Sequence, residues 1–468
     1  MEEYSNNMRM GNTSDIDLAV VSAQVAVSMT LKTDPRCAAS LNNLGSKLGR
    51  RYQRTGAMSD LEEAISVARQ VATATPNDHP GRAIHLNNLG IKLESRYKRT
   101  AAINDLHEAS AHLYEAWNTC TAIPFVRIRS AARCIKLLAP QDKLDAAAQL
   151  GKAVIRMLPS VNTKLLDRTD QQYIISTFAG VAADLCALRL TMNQVEDALL
   201  YLEQGRAVIL SQLIDNRSDV SDLAKNHPKI ACRYEELRND VNTPIRSLEQ
   251  DAAREQALNA CIDEIRTIQG HERFLLSQTT AEMQECAAGG TIVVVNITEY
   301  RSDAILILPT IIDAINLPDL LASDVETWLD KDWTYQRPER AVKNRDYSRY
   351  LAWLWKSCVK QVLDRLHGLH TSAGCDPFRV WWVGSGLAST MPFHAAGIHD
   401  ISTTETAYHK AVSSYTPSIK ALARARKQDK DLKRTTGSLL VVTMPTTPPE
   451  GEKALANLFG VNEERNHS

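Results

Sequence analysis

Leu41-Asn42-Asn43-Leu44-Gly45 returns as Leu86-Asn87-Asn88-Leu89-Gly90, 45 residues further on. The copy extends well past those five positions. Lys47-Leu48, Arg51-Tyr52, Arg54-Thr55, Asp60-Leu61 and Glu63-Ala64 recur as Lys92-Leu93, Arg96-Tyr97, Arg99-Thr100, Asp105-Leu106 and Glu108-Ala109. Chance does not produce this, and a period of roughly 20–50 residues is the signature of a solenoid. Each unit reads as two helices. In the first, Leu41, Leu44, Leu48 and Tyr52 share one face. In the second, Leu61, Ala64, Ile65, Ala68 and Val71 make the facing stripe. Thr75 to Pro80 then breaks the chain with turn formers.

A Leu-Gly pair, a later aromatic, a small Ala in the second helix and a closing Pro resemble the tetratricopeptide repeat. Its usual period is about 34 residues, so the resemblance implies an extended loop here. The packing positions it implies are Leu44, Gly45, Tyr52 and Ala64, then Leu89, Gly90, Tyr97 and Ala109. Gly45 and Gly90 are expected where helices cross closely. Backward in the chain, Asp15-Ile16, Ala19-Val20 and Ala23 match Asp60-Leu61, Ala64-Ile65 and Ala68. The chain is therefore expected to open on the second helix of a unit. Forward, the copies decay. Ile174, Phe178, Val181, Leu185 and Leu188 still form a helical stripe, followed by a turn at Asn193 and a diverged closing helix.

From Asp215 to about Thr280 the pattern stays helical with mixed charge, as a solvated helix or helical hairpin broken near Pro244. The character then changes. Thr291–Ile297 and Ala304–Leu308 are β-branched runs separated by a turn. A helical stretch with Tyr350, Leu354, Val362 and Leu366 follows, then a strand at Phe378–Val383 and another at Leu439–Val442. Strands alternating with helices predict an α/β layer packing.

Trp381 to Gly397, ending Met391-Pro392-Phe393-His394-Ala395-Ala396-Gly397, resembles the CHAT domain, a caspase- and separase-like module found behind tetratricopeptide repeats in filamentous fungi. Ser413–Ser418 and Leu440–Pro445 resemble its next two blocks, and Leu202-Glu203-Gln204-Gly205-Arg206 resembles the end of its helical region. The resemblance implies an N-terminal mainly α solenoid followed by an incomplete α/β caspase-like domain. The expected divisions are 1–125 as repeats, 126–280 as diverged repeats and charged helices, and 281–468 as the N-terminal part of a CHAT domain. Trp382, Gly386, Pro392, His394 and Gly397 are its signature positions, read as structural.

A caspase-type site needs a thiolate and an imidazole together. The family's later His-Gly and Cys blocks have no match in this sequence, and no cysteine follows Cys375. No catalytic residue is therefore assigned. His394 reads as a turn residue packed on the sheet, since nothing in the spacing places Cys358 or Cys375 beside it. Gly384-Ser385-Gly386 lacks the further residues of a phosphate loop and reads as a strand-end turn.

Charge excludes little but is informative. Lys and Arg total 54 against 55 Asp and Glu, which gives no electrostatic reason to expect nucleic acid or an anionic membrane. Nine dispersed cysteines and the absence of an apolar leader pattern point to a reducing, cytoplasmic setting. No metal or cofactor is expected, because His79, His85, His107 and His112 are unclustered. The partner expected is a protein or peptide in the repeat groove, with self-association through the edge of the strand at 438–443. The alternative is a cysteine endopeptidase of the caspase/separase-like class, or a fragment of one, with its dyad beyond this chain or in unrecognised residues.

Overall fold

The computed structural model describes residues 13–31, 37–161, 168–213, 219–242, 248–333, 339–369, 378–399 and 404–432. Contacts divide the chain into one unit up to Lys420 and a second from Ala421 to Ser468. The expected strand at 438–443, Pro244 and Cys375 lie outside the described residues. The second unit is described only as the remainder of the helix Ile419–Leu432.

The first unit is mostly helical. Helix α1 (Thr13–Met29) is followed by the pairs α2 (Cys37–Thr55) with α3 (Met58–Ala74) and α4 (Arg82–Thr100) with α5 (Ile103–Asn118). Then come α6 (Pro124–Leu138), α7 (Leu144–Met157), α8 (Arg168–Thr191) and α9 (Val195–Leu213). Each packs on the next, and the first helices of successive pairs also touch, α2 with α4 and α4 with α6. The apolar stripes explain this. Leu44 and Leu48 bury against Ala64, Val67 and Val20, and Leu89, Leu93, Ala109 and Leu113 are buried in the next unit. Each buried leucine among them contributes about 1.5–3 kcal/mol on leaving water. Helix α1 leaves Leu18, Val21, Val25 and Met29 exposed at helical spacing.

Helix α8 is apolar enough, by length and composition, to cross a membrane, with a mean hydropathy of 1.5. Two thirds of that window is buried (67%), packed between α7 and α9. The charged stretch is not one long helix. It forms α10 (Asp219–Asn226), α11 (Pro228–Val241) and α12 (Leu248–Arg266), with Tyr234, Leu258, Cys261, Ile265 and Phe274 in a small core of their own.

After α13 (Thr280–Cys286), capped by Thr279 and Glu282 in a reciprocal box, the sheet begins. Its strands are β1 (Thr291–Ile297), β2 (Ser302–Ile307), β3 (Ile312–Asn316), β4 (Phe378–Ser385) and β5 (Ala411–Tyr415). The spatial order is β3-β2-β1-β4-β5. β1 and β2 pair antiparallel, with Ile292 opposite Ile307, and so do β2 and β3. β1 and β4 run parallel, with Val294 beside Val383, and so do β4 and β5. The sheet is thus mixed. Strands β3 and β5 are additional to those read from the sequence. Their burial is only partial, so they lack the continuous apolar run that marks a central strand.

Every residue of β1 and β2 is buried. One face is covered by a long helical run, α15 (Arg340–Leu354), a π turn (Trp355–Val359) and α16 (Lys360–Leu369), after a short α14 (Ala322–Leu329). Leu354, Trp355, Cys358, Val359, Val362 and Leu366 pack there against Val293, Val295 and Trp382. The other face meets α8. Buried Asn296, inside the apolar run of β1, donates its side-chain amide to the carbonyl of Ala183 in α8 at 3.0 Å. A buried amide needs such a partner, and this one ties the sheet to α8.

Candidate functional site

The first candidate surface is the side formed by the touching first helices. Asn88 donates to Asn42 Oδ1 at 3.0 Å, joining α4 to α2. Ser130 of α6 donates to Asn87 Oδ1 at 3.2 Å. The repeated Asn-Asn dipeptide thus looks both ways along the array. Lys92 lies between α2 and α4, its stem near Gly45 and Gly49. It is only 8% exposed, and its ammonium donates to the Asn88 carbonyl at 3.2 Å. Burial lowers its pKa to about 8.

Each unit carries an ion pair that locks its two helices. Arg51 binds Asp60 through two hydrogen bonds of 2.8 and 2.6 Å, and Arg96 binds Asp105 with the same two distances. The side-by-side fork suits a guanidinium and a carboxylate. Both partners recur at the period, so the recurrence itself was the signal for the pair. Tyr52 and Tyr97, half-buried, stand where each first helix ends. Their carbonyls accept from Gly56 and Ala101, both left-handed at φ 70° and 56°.

The two repeat glycines differ. A Cβ on Gly90 would stand 2.7 Å from Leu113 Cγ, whereas one on Gly45 would meet nothing nearer than 3.6 Å. Beyond α5 the close approaches are at Gly151, against Leu185, and at Gly205, against Ala182. Gly180 meets nothing within 4 Å.

The second candidate is the end of the parallel strands. A Cβ on Gly384 would fall 2.2 Å from the Ala388 carbonyl oxygen, and Gly386 is left-handed at φ 54°. The chain therefore folds tightly back over the tip of β4. Trp382 is fully buried, stacks on Phe393 at 4.8 Å and donates its indole N–H to Ser413 of β5 at 3.1 Å. Pro392 opens the short turn Phe393–Ala395. Gly397 pairs with Thr406 and leaves no room for a Cβ, which would lie 2.6 Å from the Thr406 side chain.

His394 is exposed, where the sequence reading had it packed on the sheet. Its neighbour is Tyr415, whose hydroxyl accepts from the His394 backbone N–H at 3.0 Å and lies 2.9 Å from Nδ1. Cys358 is not beside it. That thiol is fully buried among Leu354, Val359 and Val362, and burial pushes its pKa up. A thiol held neutral in an apolar core is a poor nucleophile. The structure brings Trp382, Gly386, Pro392 and His394 to one strand end and keeps Cys358 in the core.

The Leu202–Arg206 segment, which the sequence marks only as resembling the end of the helical region, also reaches this end. Arg206 of α9 donates to the carbonyls of Gly384, near the end of β4, and of Pro417, just past β5. Glu203, 2% exposed, accepts from the backbone N–H of Ile419 at 2.8 Å and faces Arg206 at 3.7 Å. Burial raises the Glu203 pKa, opposed by Arg206. With Gly205 against α8, the Leu202–Arg206 segment fastens α9 to the strand ends.

Residues 37–80 match the family model of the tetratricopeptide repeat, and the second copy makes the same helices and the same ion pair. The chain carries tetratricopeptide-like repeats. A solved structure described as kinesin light chain nearly identical TPR-like repeats, from Podosopora anserina, is similar at 18% identity. The match covers 46% of this chain and 93% of that chain, with a TM-score of 0.32. No curated protein matches the chain.

Proposed function

We propose that this chain is a protein-interaction scaffold. Its tetratricopeptide-like array takes a peptide or protein partner on the first-helix side. Residues 281–468 form the N-terminal part of a CHAT domain that acts without peptidase activity in this chain. The observation that carries the reading is Lys92. A buried ammonium set between two repeat helices and bonded to one carbonyl costs stability, and local rules are broken most often where function needs it. With the half-buried Asn42 and Asn88 amides it offers donors and acceptors suited to an extended backbone. The caspase-like assignment is supported by the helix-covered α/β sheet and by the Trp382–Gly397 turn, and the inactive reading by the separation of His394 from Cys358. The eight described cysteines are free thiols, which supports a cytoplasmic location.

The test places a photocrosslinking side chain at Asn88 and, separately, at exposed Tyr114 of α5 in the full chain in cells. Specific protein adducts are expected at Asn88 and not at Tyr114. Equal labelling at both positions would reject the first-helix side as the binding face. An active-site cysteine probe tests the second half. Labelling of one cysteine, with peptide turnover lost on its replacement by Ala, would restore the endopeptidase alternative.

A further inference from the structure

A second recess lies apart from the first-helix side. We propose that the cleft between α7 and α12 binds an acidic peptide segment of a partner protein, holding its carboxylates on Lys152 and Arg156. The cleft has a volume of about 660 Å³, inside the range of roughly 300–1,000 Å³ typical of ligand sites.

One wall is α7, which presents Lys152 and Arg156 one turn apart. The facing wall is α12, with Glu255, Asn259 and Asp263. Buried Leu258 and Ile262 of the same helix supply apolar surface between them. Opposite charges across a narrow cleft would ordinarily pair, but here the acids are already taken. Arg127 binds Glu255 from outside the cleft, and Arg266 binds Asp263 at 3.3 Å. Among the described residues no carboxylate pairs with Lys152 or Arg156. Lys152 instead lies 5.9 Å from the ring centre of Tyr201.

Two like charges at this helical spacing repel, and a bound anion relieves the repulsion. A guanidinium fork beside a compact ammonium matches carboxylate oxygens. The cleft far exceeds the volume of a lone anion, and its apolar surface calls for an apolar body on the ligand. The side-chain amide of Asn259 can pair with that ligand's backbone. An acidic, Leu-containing peptide meets all three conditions, and this site stands whether or not the first-helix side binds.

The full chain is titrated into a fluorescein-labelled peptide alternating Leu and Glu, and into its Leu and Gln twin, with anisotropy as readout. The Glu peptide is expected to bind at least about tenfold more tightly, a difference of one decade in Kd, and to weaken as salt rises. The variant Lys152→Gln with Arg156→Gln should lose about that factor, while Lys152→Arg retains binding. Asn259→Glu, which keeps both cations, should also weaken it. Matching thermal midpoints of variants and parent establish that they fold. Equal binding of the Gln twin, full affinity in the double variant, or no binding of either peptide would overturn the proposal. Displacement by inorganic phosphate at equal concentration would overturn the peptide assignment in favour of a simple anion site.

Discussion

Gly45 and Gly90 occupy the same place in the repeated Leu-Asn-Asn-Leu-Gly segment, and the structure predicts opposite responses to the same substitution. Replacing either with Ala gains about 1 kcal/mol of helix propensity. At Gly45 the new methyl would sit 3.6 Å from the Ala64 carbonyl oxygen and from Val67 Cγ1, ordinary contact distances. Gly45→Ala should therefore stabilise by about 0.5–1 kcal/mol. At Gly90 the methyl would sit 2.7, 2.9 and 3.3 Å from Leu113 Cγ, Cδ2 and Cδ1. Leu113 is fully buried and has no solvent to move into. Overpacking of this kind costs about 1–3 kcal/mol. Set against the propensity gain, Gly90→Ala should destabilise by roughly 0–2 kcal/mol, and Gly90→Leu by more. The two Ala variants should differ by about 1–3 kcal/mol. Urea unfolding of the full chain by circular dichroism reads this difference, with amide hydrogen exchange in α2 to α5 as a local check. Equal shifts at the two positions would refute the argument from close packing.

Three further outcomes follow from the same geometry. Ala101 holds a left-handed conformation that Gly56 holds in the preceding unit, so Ala101→Gly should stabilise by about 1 kcal/mol in urea unfolding. Asp184, buried in α8 near Lys136 and Glu299, has its pKa raised from 3.8 to about 7, chiefly by burial. Folding then takes up a proton between about pH 4 and 7, so stability falls as pH rises through that window and stays reduced above it. Asp184→Asn should exceed the parent by up to about 4 kcal/mol at pH 8, with the gap closing near pH 4; a gap independent of pH would count against a buried neutral carboxyl. Arg206→Ala should cost about 3–5 kcal/mol, because Glu203 is left buried without its counter-charge, and should speed hydrogen exchange in β4 and β5. A cost below about 1 kcal/mol would mean that the strand ends hold without α9.

The sequence by itself determined the helical repeats. The period of 45 residues, the paired Asn, the Arg51 and Asp60 recurrence and the apolar stripes all lie within one unit or between neighbours. A solenoid unit touches only the units beside it, so its structure is written locally. The central strands β1, β2 and β4 were also legible: β1 and β2, buried on both faces, spell out β-branched runs, and β4 carries the aromatic run around Trp381 and Trp382. Edge strands β3 and β5 were not, because a half-exposed strand needs no such run. Only tertiary structure separated Gly90 from Gly45, since close approach depends on whether Leu113 or open space lies opposite. It alone exposed His394, buried Cys358 in an apolar core and gave Leu202–Arg206 a task. Arg206 meets the Gly384 carbonyl across 178 residues of chain, and no local pattern encodes a contact at that separation. Strand order and the joining of repeat to sheet are fixed by which buried polar groups find partners once the layers pack.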